Sequence, residues 1–298
     1  MGRKSTSNKG PDEHSSALTA TYYAKSLIRR IPWLHVALVA AITGLVLQLA
    51  WPQILAWLHR PRPGMQVVQE MEIPHTCIEK YLVYLPSNYS RHRTWPTVVY
   101  LHGAGCRGSS PFRITAEGPP RHIKEGRKLP CIVISPLCRA EMSWNPNAVA
   151  ALLDEVSQTL SIDLNRIYLT GFSMGAYGVW ETACAYPNRF AAILPVSGGG
   201  NARDAHRLRD IPIWAFHGDN DELIPLSRMQ EMVDAVRRAE AAVEFTIISE
   251  GGHAICNPTF GRQDVWDWLL KQRRVMAATR SSDRSTPVAA SLVDGEVP

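Results

Sequence analysis

The sequence has no Cys-x-x-Cys pair, no His-x-x-x-His spacing, and no Lys followed by Ser or Thr after its triple glycine. The first absence excludes a zinc cage or a thioredoxin-like redox site, whose sulfur ligands come in close pairs. The second leaves no helix-borne pair of metal ligands, so no metal or organic cofactor is expected. Gly198-Gly199-Gly200, lacking the lysine of a phosphate cradle, reads as a turn at a strand end. Basic and aromatic residues are not interleaved. Much of the positive charge lies near the two ends, at Arg3, Lys4, Arg29 and Arg30 and at Lys271, Arg273 and Arg280. That pattern argues against a nucleic-acid partner. No internal repeat and no second domain is visible.

What is present is a globular composition. The 298 residues are 45% apolar and 20% charged, with a net charge of +5, enough for one sizeable core. Six cysteines, Cys77, Cys106, Cys131, Cys138, Cys184 and Cys256, suit an oxidising compartment without requiring one. Their pairing does not follow from spacing, and Cys131 and Cys184 read equally as buried thiols.

Trp33 to Trp51 is apolar and carries no formal charge, and roughly 19 residues suffice to cross a bilayer as a helix. Trp33, Trp51 and Trp57 sit where interfacial aromatics belong, and more basic residues precede the stretch than closely follow it. The expectation is a transmembrane anchor over 31–58, with a polar cytoplasmic segment, 1–30, before it and an exported domain after it. A cleaved secretory signal would instead leave the domain secreted. A helix packed on the domain is the third possibility, which His35 and Gln48 would permit. A Pro- and Gly-containing linker, 59–65, leads to one domain over 66–275, and 276–298 reads as a disordered tail.

Within that domain, short apolar runs alternate with helical patterns. Strands are expected over 67–73, 77–85, 97–101, 131–136, 167–170, 191–196, 213–216 and 243–248, and helices over 148–160, 225–239 and 265–270. The segment 108–127 has no clear periodicity. Such alternation predicts an α/β fold with a mostly parallel sheet covered on both faces.

Gly171-Phe172-Ser173-Met174-Gly175 lies between a strand and a helix, the context that makes Gly-x-Ser-x-Gly a nucleophile elbow. Ser173 is the expected nucleophile. The amide of Met174, at a helix start, faces developing negative charge, and His102-Gly103-Ala104-Gly105 after an inner strand offers the Ala104 amide as a second donor. His102 is read as a support of that loop. A serine nucleophile needs a base and the base an orienting acid. His253 is the only histidine after Asp221 and lies in a Gly-Gly-His loop after a strand. Asp221 is the preferred acid, with Asp219 as the alternative.

Tyr168-Leu-Thr-Gly-Phe-Ser-Met-Gly-Ala-Tyr-Gly-Val-Trp180, followed by Tyr186-Pro-Asn-Arg-Phe-Ala-Ala192, resembles the bacterial predicted-peptidase and esterase group of α/β-hydrolases. That group is close to polyhydroxybutyrate-depolymerase-like and feruloyl-esterase-like enzymes. His-Gly-Ala-Gly at 102–105, Ser-Pro-Leu-Cys at 135–138 and His-Gly-Asp-Asn-Asp at 217–221 match its other motifs. Ala176 departs from the glycine usual there, a change a helix tolerates. The resemblance spans roughly Gln66 to Lys271. It implies the α/β-hydrolase fold, Ser173 as nucleophile, Asp221 as acid and His253 as base. The expected partners are a small-molecule or polymer-derived ester and, through the N-terminal helix, a membrane. A serine peptidase with the same triad, or a binding protein of this fold, is the alternative.

Overall fold

The computed structural model describes residues 33–54, 60–75 and 77–274. The expected polar segment 1–30 and tail 276–298 lie outside the described residues. The chain divides into two units, Met1–Arg60 and Pro61–Pro298.

In the first unit, Trp33–Ile54 forms one helix, α1, of 22 residues. At 1.5 Å per residue it is about 33 Å long, close to the ~30 Å of a bilayer's hydrocarbon core. It contains no Asp, Glu, Lys or Arg, and Leu34, Val39, Ile42, Val46 and Leu49 are exposed. In length and composition α1 could cross a membrane, a property it shares with signal sequences.

The second unit is built on eight strands: β1 (Gln66–His75), β2 (Ile78–Tyr84), β3 (Trp95–Leu101), β4 (Ile132–Cys138), β5 (Ile162–Phe172), β6 (Ala192–Val196), β7 (Ile213–Gly218) and β8 (Val243–Ile248). They form one sheet in the order β1-β2-β4-β3-β5-β6-β7-β8. The pairs β1–β2 and β2–β4 are antiparallel; every pair from β4–β3 to β7–β8 is parallel. Successive side chains of a strand point to opposite faces, so each inner strand feeds two cores. Val99, Leu101, Ile167 and Leu169 pack on one side under helices α3 (Pro146–Thr159), α4 (Met174–Ala185) and α5 (Leu226–Arg238). Val98, Tyr100, Tyr168 and Phe172 pack on the other, under α2 (Gly118–Lys124), α6 (Cys256–Gly261) and α7 (Gln263–Lys271). All seven residues of β3 are buried, which is why its sequence is continuously apolar around Val98–Leu101.

The differences from the sequence reading have local causes. Helix α3 begins at Pro146, two residues early, because the Asn145 side chain accepts the amides of Asn147 and Ala148 at 2.9 and 3.2 Å and Pro146 needs no acceptor. Strand β5 begins at Ile162 through pairing with Trp95, although Asp163 and Asn165 interrupt its apolar run. Helix α6 has six residues with Pro258 among them, too short to show a period. The parallel strands all point their carboxyl ends at one edge, and ligands of open α/β sheets bind there.

Candidate active site

Four strand ends supply the site: β3 leads to the 102–105 loop, β5 to Ser173, β7 to Asp221 and β8 to His253. Ser173 stands alone between β5 and α4 with φ 56° and ψ −117°. For a residue with a Cβ, such a backbone costs on the order of 1–3 kcal/mol and persists only when its surroundings over-determine it. The Ser173 N–H donates to the Val196 carbonyl at 2.9 Å, and its carbonyl accepts the Ala176 amide at 2.9 Å. The flanking glycines are demanded by space. A Cβ on Gly175 would lie 1.9 Å from the Leu101 carbonyl oxygen, and one on Gly171 would lie 2.5 Å from that of Gly175.

Ser173 Oγ is 2.9 Å from His253 Nε2, and His253 Nδ1 is 2.8 Å from Asp221 Oδ2. The carboxylate accepts, so Nδ1 carries the proton and Nε2 is left to accept from the serine hydroxyl. The His253 ring lies against Phe172, and the Ser197 hydroxyl donates to the His253 carbonyl at 3.2 Å.

The other oxygen of Asp221 accepts the amides of Leu223 and Ile224 at 3.0 and 2.9 Å. Burial pushes this carboxyl up, but the Ile224 amide, His253 and the Leu223 amide outweigh it, so its pKa lies below the ordinary value. His217 Nε2 adds a contact at 3.3 Å to the oxygen that faces His253 while bonding the Ile224 carbonyl at 2.9 Å. Asp219 is exposed, its amide tied to Ile248. Of the two acids considered, Asp221 meets the histidine.

Met174 is the first residue of α4 and Ala104 the first of a one-turn 3₁₀ segment, Ala104–Cys106. Such first amides have no partner within their own helix, and among the described hydrogen bonds neither finds another. His102 decides where the Ala104 amide points. The Cys138 amide donates to His102 Nε2 at 2.9 Å, so His102 carries its proton on Nδ1, which donates to the Gly103 carbonyl at 2.7 Å. That carbonyl shares a planar trans peptide with the Ala104 N–H. Fixing the oxygen inward therefore turns the N–H outward, away from the buried side of the loop, where Ala104 is exposed.

Burial lowers the His102 pKa to about 4 from 6.5. Its folded value is depressed, so the unfolded chain takes up the proton first, and the stability this neutral ring contributes is lost as pH falls from 6.5 toward 4. At 1.36 kcal/mol per tenfold the loss approaches about 3 kcal/mol. Urea unfolding across this window should show the decline; a flat profile would contradict a neutral His102.

Beside Ser173 opens a cleft of about 400 Å³, lined by Trp144, Met174, Tyr177, Glu181 and Ile224 among others. Trp144 is fixed by its indole N–H, which donates to the His102 carbonyl at 3.0 Å, and by contact with its ring. Trp144 and Ser197 carry no motif that names such support, His217 opens the 217–221 motif without a role read for it, and Glu117, which accepts the Gly103 amide at 2.7 Å, lies in the aperiodic 108–127 segment.

The phospholipase/carboxylesterase family matches residues 139–268. Feruloyl esterase D of Neurospora crassa is 26% identical over 172 residues, 52% of this chain and 57% of that protein. A bifunctional acetylxylan esterase/xylanase of Neocallimastix patriciarum is 30% identical over 82 residues, 28% of this chain and 12% of its own length. The chain thus spans about half the length, or less, of these curated relatives. Among solved structures, a thermostable esterase matches with a TM-score of 0.61 at 29% identity, covering 70% of this chain and 63% of that one.

Proposed function

We propose, from a chain that has the α/β-hydrolase fold, that it is a serine hydrolase cleaving carboxylic esters through an acyl-enzyme. The observation that carries this reading is the unbroken relay from Asp221 through His253 to Ser173, with both links under 3 Å. In this reading His253 takes the Ser173 proton as Oγ attacks the ester carbonyl, and Asp221 holds the ring in the required tautomer and stabilises the imidazolium that forms. The oxyanion is received by the Ala104 and Met174 amides, each worth about 10²–10³ in rate in comparable sites. His253 then protonates the leaving alcohol, and water, activated by the same ring, releases the acid. The esterase relatives support an ester over a peptide bond; small-molecule and polymer-derived esters both fit this chemistry. A fluorophosphonate, mapped by mass on the full chain, should form its adduct at Ser173. Absence of an adduct on folded protein would overturn the reading.

For α1 the reading is a membrane anchor that leaves Pro61–Pro298 on the exported side, resting on its span length and the basic residues preceding it. A periplasm-active reporter fused after Arg62 should be active. An inactive fusion would sink the exported orientation, and recovery of a mature chain lacking α1 would assign the helix to a cleaved signal.

A further inference from the structure

We infer that Glu117 is a positioning residue for the oxyanion loop, acting through the hydrogen bond its carboxyl accepts from the Gly103 amide. The inference rests on the ester-hydrolase reading above and assigns a role that reading leaves open.

The Gly103 residue is held at both ends. Its carbonyl is fixed by His102 Nδ1 at 2.7 Å and by the Cys106 amide at 3.1 Å. Its N–H is fixed by Glu117 Oε1 at 2.7 Å. The carbonyl bonds restrain the 103–104 peptide, which carries the Ala104 N–H; the Gly103 N–H belongs to the preceding peptide, hinged on the same Cα, and Glu117 fixes that second plane so that the first cannot turn with it. Gly103 is buried, so without Glu117 its N–H would face the interior unpaired, a state the chain relieves by rotating the peptide. That rotation would carry the Ala104 amide off the reacting oxygen.

Glu117 is itself clamped. Its Oε1 also accepts the Tyr100 hydroxyl at 3.1 Å, from β3, and Cys106 touches the same carboxyl. The next residue, Gly118, has φ +62°, and a Cβ there would lie 2.4 Å from the Tyr100 ring. The Gly118 amide donates to Asn257 Oδ1 at 2.8 Å, from α6. The carboxyl thus takes its place from β3 and, through the Gly118 amide, from α6, both outside the loop. Burial raises its pKa, opposed by the Gly103 amide, Tyr100, Cys106 and the nearby His253. In either protonation state one oxygen remains an acceptor, so acceptance of the amide, and not the charge, is the property required.

The test compares Glu117→Ala with Glu117→Gln in the full chain, with p-nitrophenyl acetate as substrate. Rates are normalised to the sites that fluorophosphonate labels exhaustively. Glu117→Ala should lower kcat about 10- to 100-fold, a part of what loss of a whole donor costs, with KM within about twofold. Glu117→Gln, which keeps the acceptor, should stay within about threefold of wild type. If Glu117→Ala does not fold, Glu117→Leu replaces it. Unchanged kcat in the variant without an acceptor overturns the inference. An equal fall in Glu117→Gln also overturns it, because the charge would then be the operative property. If Ser173→Ala keeps wild-type turnover, the ester-hydrolase reading fails instead, which separates the two.

Discussion

Ser173→Ala is expected to lower ester turnover by at least about 10⁴-fold and to leave the thermal midpoint within a few degrees of wild type. The rate loss follows from removing the attacking atom: what survives is the contribution of the oxyanion donors and substrate binding, and comparable nucleophile deletions cost about 10⁶ in kcat. The unchanged stability follows from what Oγ touches. Its hydrogen bond is to His253 Nε2 and the side chain is only half buried, so its loss strands no fully buried group. The unusual backbone at Ser173 is as costly for alanine as for serine, since both carry a Cβ. Initial rates beside a melting curve check both halves. Substantial turnover in the folded variant would remove Ser173 from the mechanism.

The second large effect separates the two acids. Asp221→Asn should lower kcat by about 10⁴-fold, the scale seen when an orienting acid becomes an amide. The amides of Leu223 and Ile224 require an acceptor, so the carbonyl oxygen of the new side chain turns to them and its NH₂ faces His253 Nδ1. Nδ1 must then accept, which moves the ring proton to Nε2 and sets a donor against the serine hydroxyl. The base is lost without any change of shape. Asp219→Asn, at an exposed position, should stay within about twofold. Steady-state kinetics on the two variants decides the matter, and an equal fall in both would sink the assignment of Asp221.

Much of this was readable from the chain because parallel strands buried on both faces are written as unbroken apolar runs. Val98-Val99-Tyr100-Leu101 and Ala192-Ile193-Leu194 announce themselves, and the residues at their ends inherit a place on the carboxyl edge. Ser173 was legible because its turn demands small neighbours on both sides, and His253 because chain order leaves no rival. The groups that tune the site were not legible. Glu117 and Trp144 reach the 102–103 loop across 14 and 42 residues, and no local pattern encodes a partner that distant. The sequence leaves open whether Asp219 or Asp221 turns inward; in the structure the amides of residues 223 and 224 hold the Asp221 carboxylate there, beside His253.

The order in which the strand ends contribute has a consequence for how the protein is made. The oxyanion loop and Ser173 belong to strands completed by Phe172, whereas the base waits until residue 253, beyond the last strand of the sheet. A ribosome delivers the chain amino end first. In the proposed mechanism, every nascent chain therefore carries its serine as an ordinary alcohol through the synthesis of eighty further residues, and would acquire reactivity only when β7 and β8 close the sheet. On that mechanism, the order of the strands alone would keep the serine silent during synthesis.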